Sequence, residues 1–168
     1  ISPDGKHFGA IVPDEETRAL VIFQRGDRKV TGVARFTDSR QVASFQWISP
    51  ERVAFTMSER QGRLVAPQGR GELLFMDING KDRAGYGGGA RGAVLTSTLR
   101  DSDDYVVVTD YVRSQRSEGG EQILYKVNAK TARSQRLAFS PVPSSSFLVT
   151  RDGEARVAAG SQGWQQGE

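Results

Sequence analysis

The chain has 168 residues, 37% of them hydrophobic and 26% charged, the balance of a globular domain able to bury one sizeable core rather than of a disordered segment. Lys and Arg number 23 against 20 Asp and Glu, interspersed with no basic stripe and no interleaved aromatics, so nucleic acid is excluded as an expected partner. No run of 18 apolar residues offers a membrane span, and the absence of cysteine excludes disulfides and thiolate metal sites while leaving the compartment open.

Taken in order, the chain opens on Ser2-Pro3-Asp4-Gly5-Lys6-His7-Phe8, a turn leading into a strand predicted from Lys6 to Val12. Ile1 stands inside this phrase with no methionine before it, so an upstream segment is expected. Pro13 to Arg18 reads as a polar connection to a second strand, Ala19 to Phe23, and Gly26-Asp27 turns the chain into a third, Lys29 to Phe36. This first unit lacks a strand before its turn.

The second unit is written in full. Val42 to Ile48, Arg52 to Met57 and Glu72 to Asp77 are strands, Asn79-Gly80 reads as a hairpin turn in which both residues tolerate positive φ, and a short fourth strand is expected after Lys81. Ser58 to Gly71 reads as a long projecting loop. The third unit repeats the plan with Ala93 to Leu99, Tyr105 to Tyr111, Gln122 to Asn128 and Ser134 to Leu137, and Val112 to Glu121 as its polar connection. A fourth unit starts with Phe147 to Thr150, turns at Asp152-Gly153 and continues through Ala155 to Ala159.

The opening phrase recurs as Ser49-Pro50-Glu51-Arg52-Val53-Ala54-Phe55, with serine, proline, acid and phenylalanine all displaced by 47 residues, and more loosely as Asp101 to Val107 and Arg151 to Val157. Repetition near every ~50 residues, built from strands and tight turns without helical periodicity, predicts an all-β chain: a partial β-propeller of about three four-stranded antiparallel blades and the start of another. The expected blades span 1–38, 39–91, 92–144 and an incomplete 145–168. Three and a half units are too few for a ring of the usual four to eight blades, so the chain reads as a portion of a larger propeller. Open sheet faces at its ends make self-association an expectation.

Few residues carry chemistry. Ala159-Gly160-Ser161-Gln162-Gly163 approaches a nucleophile elbow, but no helix pattern follows, and the chain's one histidine, His7, stands at its far end; no catalytic residue is assigned. Gly87 to Gly92 matches the spacing of a dinucleotide fingerprint, yet a strand rather than a helix follows, which makes it a linker and leaves no cofactor expected. Asp101, Asp103 and Asp104, like Asp14-Glu15-Glu16, read as solvated turns rather than metal or amine ligands. The candidates that stand out are Arg60, Arg63, Arg70, Arg113 and Arg116, placed on connections between second and third strands that emerge on one face of a meander. They are the expected loop-face contacts.

The repeated Ser-Pro-Asp/Glu phrase, together with Phe75-Met76-Asp77-Ile78-Asn79-Gly80-Lys81, resembles the N-terminal propeller of bacterial serine peptidases of the prolyl oligopeptidase family, in the dipeptidyl aminopeptidase/acylaminoacyl peptidase branch. The Ser-Pro-Asp-Gly phrase is also found in TolB-like binding propellers. The first resemblance implies a non-catalytic portion that gates a C-terminal α/β-hydrolase domain and helps select short peptides; the second implies a module that docks another protein without catalysis. Neither places a catalytic, metal or cofactor residue on this chain.

Overall fold

The computed structural model describes residues 1–14, 17–60, 68–87, 92–99, 102–112, 121–140 and 146–160. Among these residues every regular element is a strand, and every pairing is antiparallel. The first sheet is β1 (His7–Asp14), β2 (Thr17–Gln24) and β3 (Val30–Ala34). The second is β4 (Arg40–Ser49), β5 (Arg52–Glu59), β6 (Gln68–Asp77) and β7 (Ala84–Gly87). The third is β8 (Ala93–Thr98), β9 (Tyr105–Val112), β10 (Glu121–Asn128) and β11 (Ser134–Phe139), and β12 (Ser146–Val149) pairs with β13 (Ala155–Ala159) in the fourth. Each sheet is a simple up-and-down meander, with neighbours in sequence also neighbours in space.

Strand register explains why several of these segments are apolar at consecutive positions. In the second sheet Val53 faces Met76 and Phe55 faces Leu74, whereas Ala54 faces Phe75 and Thr56 faces Leu73. Opposed residues share a face, so the two sets point in opposite directions. Val53, Phe55 and Met76 pack with Leu20, Ile22 and Ala34 of the first sheet. Ala54, Leu73 and Phe75 pack with Val106, Val108 and Val127 of the third. A sheet covered on both sides needs apolar residues at both parities, and burying one side chain of the size of Phe75, which is wholly inaccessible, contributes about 1.5–3 kcal/mol.

Close approach between sheets falls on glycine at two places in the first sheet. A Cβ on Gly9 would stand 2.5 Å from the Phe45 ring, and one on Gly32 would stand 2.6 Å from the carbonyl oxygen of Ile78 and 2.7 Å from the amide nitrogen of Gly80. Beside Gly32, the guanidinium of Arg83 donates to the carbonyl of Val33 at 2.7 Å, tying the second sheet's turn to β3.

The repeated phrase is a turn whose serine is buried. The Ser2 hydroxyl donates to Asp4 Oδ1 at 2.7 Å and accepts the His7 amide at 2.9 Å, while the Gly5 amide, in the left-handed region at φ 72°, donates to the Ser2 carbonyl. Ser49 Oγ accepts the Glu51 amide in the second copy. In the fourth, Thr150 takes the serine's part: its carbonyl accepts from Gly153 and its Oγ1 from Glu154.

The strand order follows the sequence expectation, with two departures. The loop between β5 and β6 is shorter than Ser58 to Gly71, because Ser58 pairs with Gly69 and Glu59 with Gln68 beyond a bulge that absorbs the extra residues of β6. At the Asn79-Gly80 turn only Gly80 takes positive φ, at 74°; the second left-handed residue is Asp82, at 45°. Arg28 and Ala132 have φ of 57° and 55° at the matching place, two residues before β3 and β11 as Asp82 is before β7. The described sheets form an open stack rather than a closed ring, in keeping with the few units read from the sequence.

Candidate crevice between the second and third sheets

In an up-and-down sheet, the connections from first to second and from third to fourth strand lie at one end, and the connection from second to third lies at the other. Two such adjoining ends, those of the second and third sheets, enclose a cavity of about 590 Å³. Ser49, Glu51 and Arg52 come from the β4–β5 turn, Asp77 and Asp82 from the β6–β7 turn, Ser102, Asp103, Asp104 and Tyr105 from the β8–β9 turn, and Lys130 from the β10–β11 turn. The repeat therefore delivers an acid from corresponding turns of two sheets to one place.

Arg52 builds the wall between them. It is 4% exposed, and its Nη1 donates to the carbonyls of Asp82 at 3.0 Å and Ala129 at 3.2 Å, one from each sheet. A buried guanidinium is tolerated when its donors are used, and hydrogen bonds from a charged donor contribute about 1.5–3 kcal/mol. The Ala129 amide in turn donates to the Asp104 carbonyl at 2.7 Å, and the Asp104 carboxylate meets Lys130 Nζ at 2.7 Å. Both side chains of that ion pair are about half exposed, so it orients more than it stabilises. Asp77 Oδ1 caps its own turn, accepting the amides of Asn79 at 3.0 Å and Lys81 at 2.7 Å.

Five carboxylates against two cations give the lining an acidic balance. Such a wall favours cationic groups by its field. The lining holds Ser49, Ser102 and Tyr105 but no histidine beside them, and Ser49 Oγ accepts the Glu51 amide. Among the described residues no group of three or more His, Asp and Glu is arranged to hold a metal ion. Elsewhere on the same sheet junction, the Tyr86 hydroxyl donates to Asp110 Oδ2 at 3.3 Å; burial first, and then the Asp110 charge, push its pKa up to about 12. In the opening turn, the Ser2 hydroxyl and then the Lys6 amide hold the Asp4 carboxyl below its ordinary range.

Of the arginines singled out in the sequence, the two within the described residues lie at the other end of the second sheet. Arg60 follows β5 directly, its amide donating to the Ser39 carbonyl at 2.9 Å, and the backbone of Arg70 belongs to β6 rather than to a loop. Arg63, Arg113 and Arg116 lie outside the described residues, as do Glu15, Glu16, Asp101 and Ser161. Asp14 closes the β1–β2 ladder opposite Thr17. His7 stands in β1 opposite Gln24, with its Nδ1 buried and without a hydrogen-bond partner. Gly87 ends β7, and Gly92 leads directly into β8, so a strand follows the glycine run.

The crevice was not singled out in the sequence. Its signal is positional: Glu51 and Asp103-Asp104 follow a serine at corresponding turns, and only the stacking of the sheets makes them neighbours. No protein-family model, no curated protein and no solved structure matches the chain.

Proposed function

We propose that the chain is the non-catalytic propeller portion of a serine peptidase resembling the prolyl oligopeptidase family, restricting access and helping to select short peptides for an α/β-hydrolase domain encoded with it. The observation that carries this reading is the succession of antiparallel meanders, stacked face to face, in which a Ser/Thr turn recurs at Ser2, Ser49 and Thr150. Repeating units that each cover the next are the logic of propeller blades. The chemistry within the described residues fits a scaffold: serines serve as turn acceptors, and the buried Nδ1 of His7 has no hydrogen-bond partner. A second reading, a TolB-like propeller module that docks another protein without catalysis, is favoured by the acidic crevice, which lies at the end of the sheets away from the arginine-bearing connections.

Hydrolysis of aminoacyl- and dipeptidyl-chromogenic substrates separates the two. The full product of the encoding gene is expected to cleave them and residues 1–168 alone are not. Silence in both moves the docking module ahead, and cleavage by residues 1–168 overturns both readings.

A further inference from the structure

The chain holds two asparagines, Asn79 and Asn128, and only the first precedes a glycine. Asparagine followed by glycine is the pair most prone to lose its side-chain amide, because no Cβ on the second residue hinders the ring closure. The glycine amide nitrogen gives up its proton and bonds to the asparagine Cγ, the amide nitrogen leaves as ammonia, and a succinimide remains. Water then opens one of its two carbonyls, giving aspartate or isoaspartate. In isoaspartate the main chain runs through the former side chain and is one carbon longer.

The fold withholds the backbone freedom that this chemistry needs. The Gly80 amide, the would-be nucleophile, donates to the Asp77 carbonyl at 3.0 Å. The Asn79 and Lys81 amides donate to Asp77 Oδ1 at 3.0 and 2.7 Å, and the Gly80 carbonyl accepts Arg83 Nε at 2.9 Å. Arg83 Nη2 also donates to the Val33 carbonyl, at 2.7 Å, so one side chain ties the turn to β3. The turn is pressed against that strand: a Cβ on Gly80 would stand 3.1 Å from the Val33 amide nitrogen and 3.4 Å from the Gly32 Cα. Asn79 itself is exposed, so water reaches it freely.

We propose that Asn79 is a deamidation site gated by the contact between the β6–β7 turn and β3, reacting in molecules whose first two sheets have parted there. The product records the opening in covalent form. An added backbone carbon lengthens a turn that is closed on Asp77 and pressed on β3, so the isoaspartyl chain does not rebuild the contact. The inference concerns this junction alone and stands apart from the peptidase reading.

Peptide mapping of residues 1–168 aged at neutral pH tests it, following the tryptic segment Gly71 to Lys81 for conversion of amide to acid and separating isoaspartyl from aspartyl forms. In denaturing urea Asn79 is expected to convert and Asn128, which precedes Ala129, to remain; in buffer both are expected to remain over the same interval. Arg83→Gln removes the exposed tie and is expected to speed conversion in buffer by roughly fivefold to tenfold, in step with the open population. Gly32→Ala acts on the contact without touching the turn's own hydrogen bonds and is expected to speed it too, near-ultraviolet circular dichroism showing that each variant is folded. For the unaltered chain, urea below the unfolding transition should raise the rate steeply, because parted sheets expose apolar surface. A rate that stays flat in low urea is fraying of the turn alone and overturns the gate. Equal conversion in buffer and in denaturing urea also overturns it, as does an unchanged rate in both folded variants. No conversion in denaturing urea overturns the site itself.

Discussion

On its leading face, the side turned away from the sheet that follows, each of the first two sheets carries the same phenylalanine in the same turn-to-strand phrase, yet Phe55 is buried and Phe8 is not. Their local sequences call for similar structure, and the difference lies in what stands in front of them. An apolar residue within a repeat thus reports the plan of the repeat; whether it is core depends on the neighbouring unit.

The widest gap should open when the two phenylalanines are truncated. Phe55→Ala is expected to lower the unfolding free energy by about 3–5 kcal/mol, because it leaves a cavity between two sheets. Phe8→Ala at low concentration should change it by no more than about 0.5 kcal/mol, the usual range for exposed positions. Urea denaturation of both variants measures this, and equal losses would mean that the first sheet's leading face is covered.

A smaller effect is expected from backbone contact. Gly32→Ala drives a methyl into the Ile78–Gly80 backbone, which has no rotamer with which to yield, and should destabilise by about 1–3 kcal/mol. Gly26→Ala, with nothing within 4 Å of the added carbon, should be close to neutral. Thermal melts of the pair sharpen the comparison, since both glycines belong to the first sheet's unit and only one faces the second.

The least effect concerns pH. Tyr86 holds its proton to about 12 in the folded chain, above the ordinary value of 10.0 that applies when it is unfolded. Between those values the unfolded chain binds fewer protons, so this contribution to stability is complete below pH 10 and declines as the pH rises toward 12. Tyr86→Phe is expected to flatten that decline in a melting-temperature series. An unchanged slope would remove Tyr86 as its source.

Strand positions were legible because alternation and turn chemistry are local. The short β7 and the hairpin at Asp152-Gly153 were both anticipated from a few residues, and the doubly apolar β6 announced a sheet covered on both sides. What depended on contact between units was not legible. Nothing in the letters of Arg28 or Ala132 marks them as left-handed, as aspartate can at Asp82, and their common placement appears only once the strands that follow are known. The bulge that draws Ser58 and Gly69 into a ladder was hidden in a polar stretch that reads as loop. The crevice was hidden for another reason: its acids come from three separate turns, whereas sequence reading favours clusters, and so it turned to the loop arginines.

Among the described residues Arg52 grips main-chain oxygen. Both of its acceptors, in the turns after β6 and β10, are carbonyls that any amino acid would supply, so the exposed side chain at Asp82 can change without unfastening it. The joint between the two sheets is in this sense blind to the residues it joins. Mutational drift can therefore reshape the rim of the crevice, charge by charge, while the spacing of its walls stays fixed.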